Sequence, residues 1–218
     1  MLRDGKSNSD EELDLEPNSK PYLLKRIISD GFDTVSVFIL FIVFSALIFS
    51  SPLAGTYNTH AENCRKARES AIAEYGDDEK AIENFLQSDE YYRNEDFSAR
   101  LHAYLLKLLA GAAAEAVLLL AFPLLSGKRM TPGKMLTGIM PFCEKKQSKA
   151  TGLQILGRFA FILIIDSAFL YLWTGIYTFL LVPVIRLTEM LVNKKNKTVI
   201  DALSGVMIIE KLSYDGIN

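Results

Sequence analysis

The sequence predicts an all-α fold: a polytopic membrane helical bundle of four transmembrane helices, with a helical extramembrane insertion between the first two. Three observations predict it. Half of the 218 residues are hydrophobic, and they are gathered into long runs rather than spread periodically. Those runs are longer than a buried core helix needs and long enough to cross a bilayer. Basic residues cluster on alternate connections between the runs, as in a chain threaded back and forth through a membrane.

Composition narrows the function classes. With 24 basic against 26 acidic residues the net charge is −2, which removes any whole-chain case for nucleic-acid binding. Two cysteines make neither a disulfide scaffold nor, without histidine partners, a zinc site. Two histidines, His60 and His102, leave little room for histidine chemistry. No Ser/His/Cys constellation or metal-ligand spacing occurs, so no enzyme, no metal and no cofactor is expected.

Residues 1–19 are acidic and polar (Asp10-Glu11-Glu12-Leu13-Asp14), with little to bury, and are expected to be a disordered tail. The first transmembrane helix is placed within 20–50. Its apolar part, Ile27 to Phe49, has about 23 residues, enough at 1.5 Å each to cross a hydrocarbon core of about 30 Å. A cleaved signal peptide fits less well: the stretch is too long, Asp33 interrupts it, and Pro52-Leu53-Ala54 is a poor cleavage site.

Residues 51–100 form the extracytoplasmic insertion. Ala61, Cys64, Ala67, Ala71, Ile72 and Tyr75 recur at helical spacing. A Gly76-Asp77-Asp78 break follows, then a second amphipathic stretch with Ala81, Ile82, Phe85 and Leu86. Two readings stay open for 60–100: a surface for a membrane-protein partner, or a hairpin that packs only on itself. The next helix is expected to begin near Glu95 or Phe97 and to become the second span, 101–126, with Lys107 near one end and Glu115 near its middle.

The segment 127–154 is basic. Leu136, Ile139, Met140 and Phe142 predict an element lying on the membrane surface with lysines toward anionic headgroups. A phosphate-loop reading of its Gly-Lys pairs fails on spacing and on the lack of a preceding strand. The apolar run 155–192 would make a single helix of about 57 Å, nearly twice the core thickness. A transmembrane hairpin turning near Thr174-Gly175 fits better, with Arg186 and Glu189 paired at i, i+3 near its far end. Pro123 and Pro183 are expected to kink their helices. The C-terminal segment, 193–218, is lysine-rich.

Lysines and arginines crowd the N-terminal flank, the segment between spans two and three, and the tail. The insertion has six basic residues diluted over its length and outnumbered by eleven acids. The positive-inside rule then places both termini in the cytoplasm.

The charges within the apolar runs carry the functional expectation. Arg26, Asp30 and Asp33 share a helix face at i, i+4 and i+7, so Arg26 is expected to pair with Asp30. Asp33 lies about 10 Å deeper, Glu115 about 15 Å from the cytoplasmic end of span two, and Asp166 about 12 Å into span three. Three carboxylates at similar depth repel one another when ionised and suit the uptake and release of a proton or cation. The other reading is structural, with each acid bonded to neighbouring helices. The small residues from Gly111 to Ala114 allow close packing beside Glu115.

In order along the chain these pieces resemble the RDD family of small integral membrane proteins. Arg26 and Asp33 match the family's arginine and first aspartate. Thr131-Pro132-Gly133-Lys134-Met135-Leu136-Thr137-Gly138 looks like its Thr-x-Gly-Lys-x-x-x-Gly element, and Arg158 falls where an arginine often opens the third helix. Asp201 with Gly205 matches the closing Asp-x-x-x-Gly element. Val206, where the family often has Thr, and the long outer insertion depart from the pattern. The resemblance implies transport, with cation/proton antiport attributed to some members, or a role in membrane-protein assembly. The expectation is a small membrane transporter acting as a homo-oligomer in the lipid bilayer. Asp33, Glu115 and Asp166 would exchange the ion, and Arg26, Asp30, Arg158 and Asp201 would form a charge network. The alternative is a non-transporting scaffold that binds another membrane protein.

Overall fold

The computed structural model describes residues 20–143, 148–166, 176–192 and 197–210. The tail 1–19 and the turn expected at Thr174-Gly175 lie outside them. Among the described residues the chain is mostly helical. Helix α1 runs Lys20–Phe49. Leu24, Ile28, Phe32, Val35, Ile39 and Leu47 are exposed along one face, while Arg26, Ser29 and Asp33 are buried on the other. That arrangement reverses the apolar-in, polar-out pattern of a helix in water. The inner face packs on two later helices, α4 and α6 (Glu90–Glu115 and Pro132–Thr137).

Among the described residues, two helices are long and apolar enough to cross a membrane, Leu23–Phe49 and Glu90–Leu125. Only 6% of the most apolar stretch of the first and 33% of the second is buried, which is not how a soluble protein treats a core helix. Within the stretch 155–192 expected to form a hairpin, the described residues form α7 (Gly152–Asp166) and α8 (Ile176–Val192).

Between the two long helices stand α2 (Gly55–Tyr75) and α3 (Glu79–Ser88). The break falls at the glycine the sequence marked. Gly76 has φ +62°, and Asp78 caps α3 by accepting from the Ala81 amide at 3.0 Å. Asp89 caps α4 in the same way, accepting from Tyr91 at 2.9 Å. Ala71, Ile82 and Leu86 are buried together, with Ala67, Phe85 and Tyr92 packed against them, so the insertion has a small core of its own. Asp78→Ala is expected to destabilise α3 by about 1 kcal/mol. Hydrogen exchange should show this as faster exchange of the α3 amides, with those of α1 unchanged.

Helix α4 starts at Glu90, ahead of the Glu95 or Phe97 expected. It continues through a π-helical stretch, Ala116–Ala121, into α5 (Phe122–Leu125). Pro123 accounts for the wide turn. Its ring clashes with an α-helical carbonyl four residues back and it has no amide to donate. The Phe122 amide instead donates to the Val117 oxygen, five residues back. The expected kink is thus taken up as π-helix.

The element expected on the membrane surface is a short helix followed by a strand. After α6, Gly138 turns at φ +70° into β1 (Ile139–Cys143). β1 is the middle strand of an antiparallel sheet, flanked by β2 (Ser148–Lys149) and β3 (Val206–Glu210). Both faces are covered. Ile139, Val206 and Ile208 pack with Ile155 and Leu120, while Met140, Phe142, Met207 and Ile209 pack with Met130 and Met135. Burial of Ile139, Met140 and Phe142 therefore goes to the sheet and not to lipid; only Leu136 stays exposed.

β3 is reached by the same construction as β1. A short helix α9 (Val199–Ser204) ends at Gly205, φ +63°. The two segments are copies at one constant offset: Thr131 and Thr198, Leu136 and Leu203, Gly138 and Gly205, and Met140 and Met207 are identical, and Ile139 answers Val206. Their N-cap backbones agree, with φ and ψ of −72° and 163° at Thr131 against −81° and 162° at Thr198. The ladder respects the duplication, since exchanging the copies converts the pair Ile139–Glu210 into Cys143–Val206, and both pairs occur. Each copy follows a pair of long helices, α1 and α4 before the first and α7 and α8 before the second.

Candidate functional site

Two clusters of buried charge occupy the contacts between these helices. The first gathers where α1, α6, α7 and α9 meet. Asp201, held at the first turn of α9 by a capping box with Thr198, is 0% exposed. The Arg26 guanidinium donates to its Oδ2, and Arg158 Nη2 lies 3.0 Å from its Oδ1. Burial works to raise the Asp201 carboxyl, but Arg158 and Arg26, from two helices, hold it well below the usual carboxylate range.

Two turns deeper on α1 than Arg26, Asp33 is gripped by α6. Its Oδ2 accepts from the Thr131 hydroxyl, and its Oδ1 accepts from the Gly133 amide at 2.8 Å. The Lys134 ammonium is 4% exposed and lies 3.4 Å from Asp33 Oδ2, 3.3 Å from Asp30 Oδ1 and 3.3 Å from the Thr131 hydroxyl. Cations Arg26, Lys134 and Arg158 thus balance anions Asp30, Asp33 and Asp201. Close approach of α6 to α1 depends on Gly133. A Cβ there would overlap the Ser29 carbonyl oxygen and sit 2.8 Å from Asp33 Oδ1.

The expected Arg26–Asp30 pair is corrected here. Arg26 reaches Asp201 in the second sequence copy, and Asp30 takes Lys134 as its ion-pair partner. The i, i+4 spacing made the Arg26–Asp30 pair sterically available, but partners brought by the tertiary fold occupy both groups.

The second cluster lies between the end of α4, the end of α7 and α8. Glu115 is 1% and Asp166 7% exposed. Their carboxyl groups face each other across the contact between α4 and α7. Arg186 Nη2 donates to both Asp166 oxygens, at 2.8 and 3.0 Å. The expected Arg186–Glu189 pair is replaced by this one, and Glu189 accepts from the Val199 amide at 3.2 Å. The three carboxylates expected together divide: Glu115 and Asp166 join, and Asp33 has Thr131, Gly133 and Lys134 as partners instead.

The chemistry of the second cluster follows from its bonds. A hydrogen bond between two carboxyl groups requires one proton, because a carboxylate only accepts. Arg186 compensates the charge of Asp166, so a proton shared between the two carboxyl groups would sit on Glu115. In that state the trio is neutral. Loss of the proton leaves one uncompensated negative charge in a buried place, a costly state unless another cation arrives.

Lys134 and Arg186 were not singled out from the sequence as site residues. A lysine in a basic segment reads as a headgroup contact, and Arg186 had a nearer acid in sequence. The signal that identifies Lys134 is the duplication, in which it occupies the place of Asp201. Among the described residues, no group of three or more His, Cys, Asp or Glu is arranged to hold a metal ion. Compared with protein-family models, curated proteins and solved structures, the chain matches none of them.

Proposed function

We propose that the chain is a four-span membrane protein of the RDD type, with both termini in the cytoplasm, that exchanges protons through Glu115 and Asp166. The observation that carries this reading is the burial of two facing carboxyl groups, Glu115 and Asp166, on two helices, backed by Arg186, next to a π-helical stretch. Such a pair holds one proton in a neutral assembly and pays electrostatically for releasing it, so release favours entry of a compensating cation. π-helical turns often accompany functional sites, and this one lets the helix beyond Glu115 change its winding without losing its hydrogen bonds altogether.

The family reading is supported by convergence. Arg26, Asp33, the Thr131–Gly138 element, Arg158 and Asp201 are far apart in sequence and meet in the first cluster. That cluster pairs equal numbers of cations and anions, and Asp33 is bonded to Thr131 and Gly133, so Asp33 is assigned to the framework, which fixes the helices while the second cluster titrates. The duplication also favours transport, because carriers are often built from paired repeats with the site between them. Four short spans enclose little volume, so the working form is a homo-oligomer, with lipid on the apolar face of α1.

Proton flux into liposomes under an imposed pH gradient tests the proposal. Glu115→Gln is expected to reduce flux to the protein-free background, and Asp33→Asn, provided it remains monodisperse, to retain it. The compact outer insertion with its own core favours a second reading, a scaffold whose cap binds a membrane partner. Wild-type flux equal to background would select that reading.

A further inference from the structure

Helices α6 and α9 have six residues each, a length of about 9 Å, so neither crosses a membrane. Both are inverted relative to a helix in water. Each turns its one charged residue inward, Lys134 on α6 and Asp201 on α9. What α6 leaves wholly or partly uncovered is Pro132, Met135, Leu136 and Thr137. On α9 it is Val199, Ala202, Leu203 and Ser204. No charge is among them, whereas a helix facing water carries its charges outward. Leu136 and Leu203 are 66% and 58% exposed and hold the same place in the two copies, so the apolar surface is duplicated with the fold.

Depth identifies what covers these helices. Counted back from Phe49 at 1.5 Å per residue, a hydrocarbon core of about 30 Å ends near Ser29 on α1. α6 packs against Ser29 and Asp33, and Ile28 and Phe32 beside them are exposed on the other face of α1. α9 meets Arg26, about one turn further toward the headgroups. Both short helices therefore lie at the boundary between acyl chains and headgroups, where apolar helix faces dock on a bilayer. A basic patch adjoins them. Arg129 Nη1 donates to the Ala150 carbonyl oxygen at 3.0 Å, which draws the exposed Lys128 and Lys149 together. The exposed Leu125 and Leu153 flank that patch in sequence. Lys195 holds the place of Lys128 in the second copy.

We infer that α6 and α9 form a lipid-docking surface in the cytoplasmic leaflet, with Leu136 and Leu203 among acyl chains and Lys128, Arg129 and Lys149 on anionic phospholipid headgroups. Exposed apolar and basic side chains stand side by side here, the combination that an anionic bilayer surface attracts. Docking fixes the two helices that supply Lys134 and Asp201, so lipid charge bears on the framework cluster. The inference rests on the membrane reading given above and is independent of proton exchange through Glu115.

Tryptophan fluorescence of the full chain in liposomes tests the surface. The chain has one tryptophan, so a Trp173→Phe background leaves each introduced reporter alone. Leu136→Trp and Leu203→Trp are expected to emit to the blue of water-exposed tryptophan. Lipid brominated near the headgroup end of its acyl chains should quench them more than lipid brominated near the methyl end. Ile39→Trp, near the middle of α1, should show the reverse order. Leu153→Trp reads the headgroup preference: brominated phosphatidylglycerol should quench it at a lower mole fraction than brominated phosphatidylcholine. Lys128→Gln and Lys149→Gln should each reduce that preference by about fivefold. Circular dichroism establishes that each variant keeps its helix content. Reporters on α6 and α9 that emit as in water overturn the inference, as do reporters that emit to the blue without quenching because protein covers them. In either case a quenched Ile39→Trp leaves the membrane reading standing, whereas an unquenched one overturns both. Equal quenching of Leu153→Trp by the two lipids overturns the assignment to anionic headgroups.

Discussion

Asp201→Ala is expected to destabilise the protein by about 3–5 kcal/mol, the cost of stranding buried charge by removing one partner. Asp201 is fully buried and faces Arg26, which is 1% exposed, and Arg158. With the carboxylate gone, two guanidinium groups confront each other with no anion between them, and α9 loses its capping box as well. Denaturant unfolding in micelles, followed by the circular dichroism of the helices, measures the change. Asp201→Asn should be milder at the cap but similar in charge. Since the folded carboxyl lies below its ordinary range, its contribution to stability is complete above the unfolded pKa of about 3.9. It is lost as the pH falls from there toward the folded value. Between pH 5 and 8 the wild-type stability should therefore be flat with respect to this group.

Gly133→Ala is the second large effect, and it is steric. The added methyl overlaps the Ser29 carbonyl oxygen, part of the α1 backbone, so no side-chain rotation relieves it. Overpacking of a core usually costs about 1–3 kcal/mol, and a clash with backbone belongs at or above the top of that range. α6 must retreat from α1, which draws the Gly133 amide and the Thr131 hydroxyl off Asp33 and the Lys134 ammonium off both acids. The expected outcome is a lower unfolding midpoint, together with protease access to the 127–143 segment. A destabilisation within a few tenths of a kcal/mol would show that α6 does not press on α1 as described.

Much of the fold was legible where a local signal had no competitor. Gly76-Asp77-Asp78 marked a helix break because glycine tolerates positive φ and aspartate caps. Charges set in apolar runs pointed to Arg26, Asp33, Glu115 and Asp166, because a buried charge in such a run needs a partner, and the family resemblance added Asp201. What failed was the choice of partner. Depth along a helix is readable from a count of residues, but direction around the neighbouring helices is not, so Asp33 was grouped with two acids whose bonds lie elsewhere. Arg26–Asp30 and Arg186–Glu189 were inferred from spacing within one helix, and contacts between helices displaced both. The sheet was missed because Ile139–Cys143 and Val206–Glu210 are short apolar runs, which periodicity alone does not separate from helix. The duplication of Thr131–Cys143 in Thr198–Glu210 was legible in the sequence, and it would have identified both strands and the equivalence of Lys134 with Asp201.

Infrared difference spectroscopy on the membrane-embedded protein tests the shared proton most directly. The account predicts a carbonyl stretch of a protonated carboxyl group at neutral pH that shifts in deuterated water, vanishes in Glu115→Gln and moves in Asp166→Asn. A spectrum in which Glu115→Gln removes only a carboxylate band, leaving every protonated carboxyl signal in place, would mean that Glu115 holds no proton, and would contradict it.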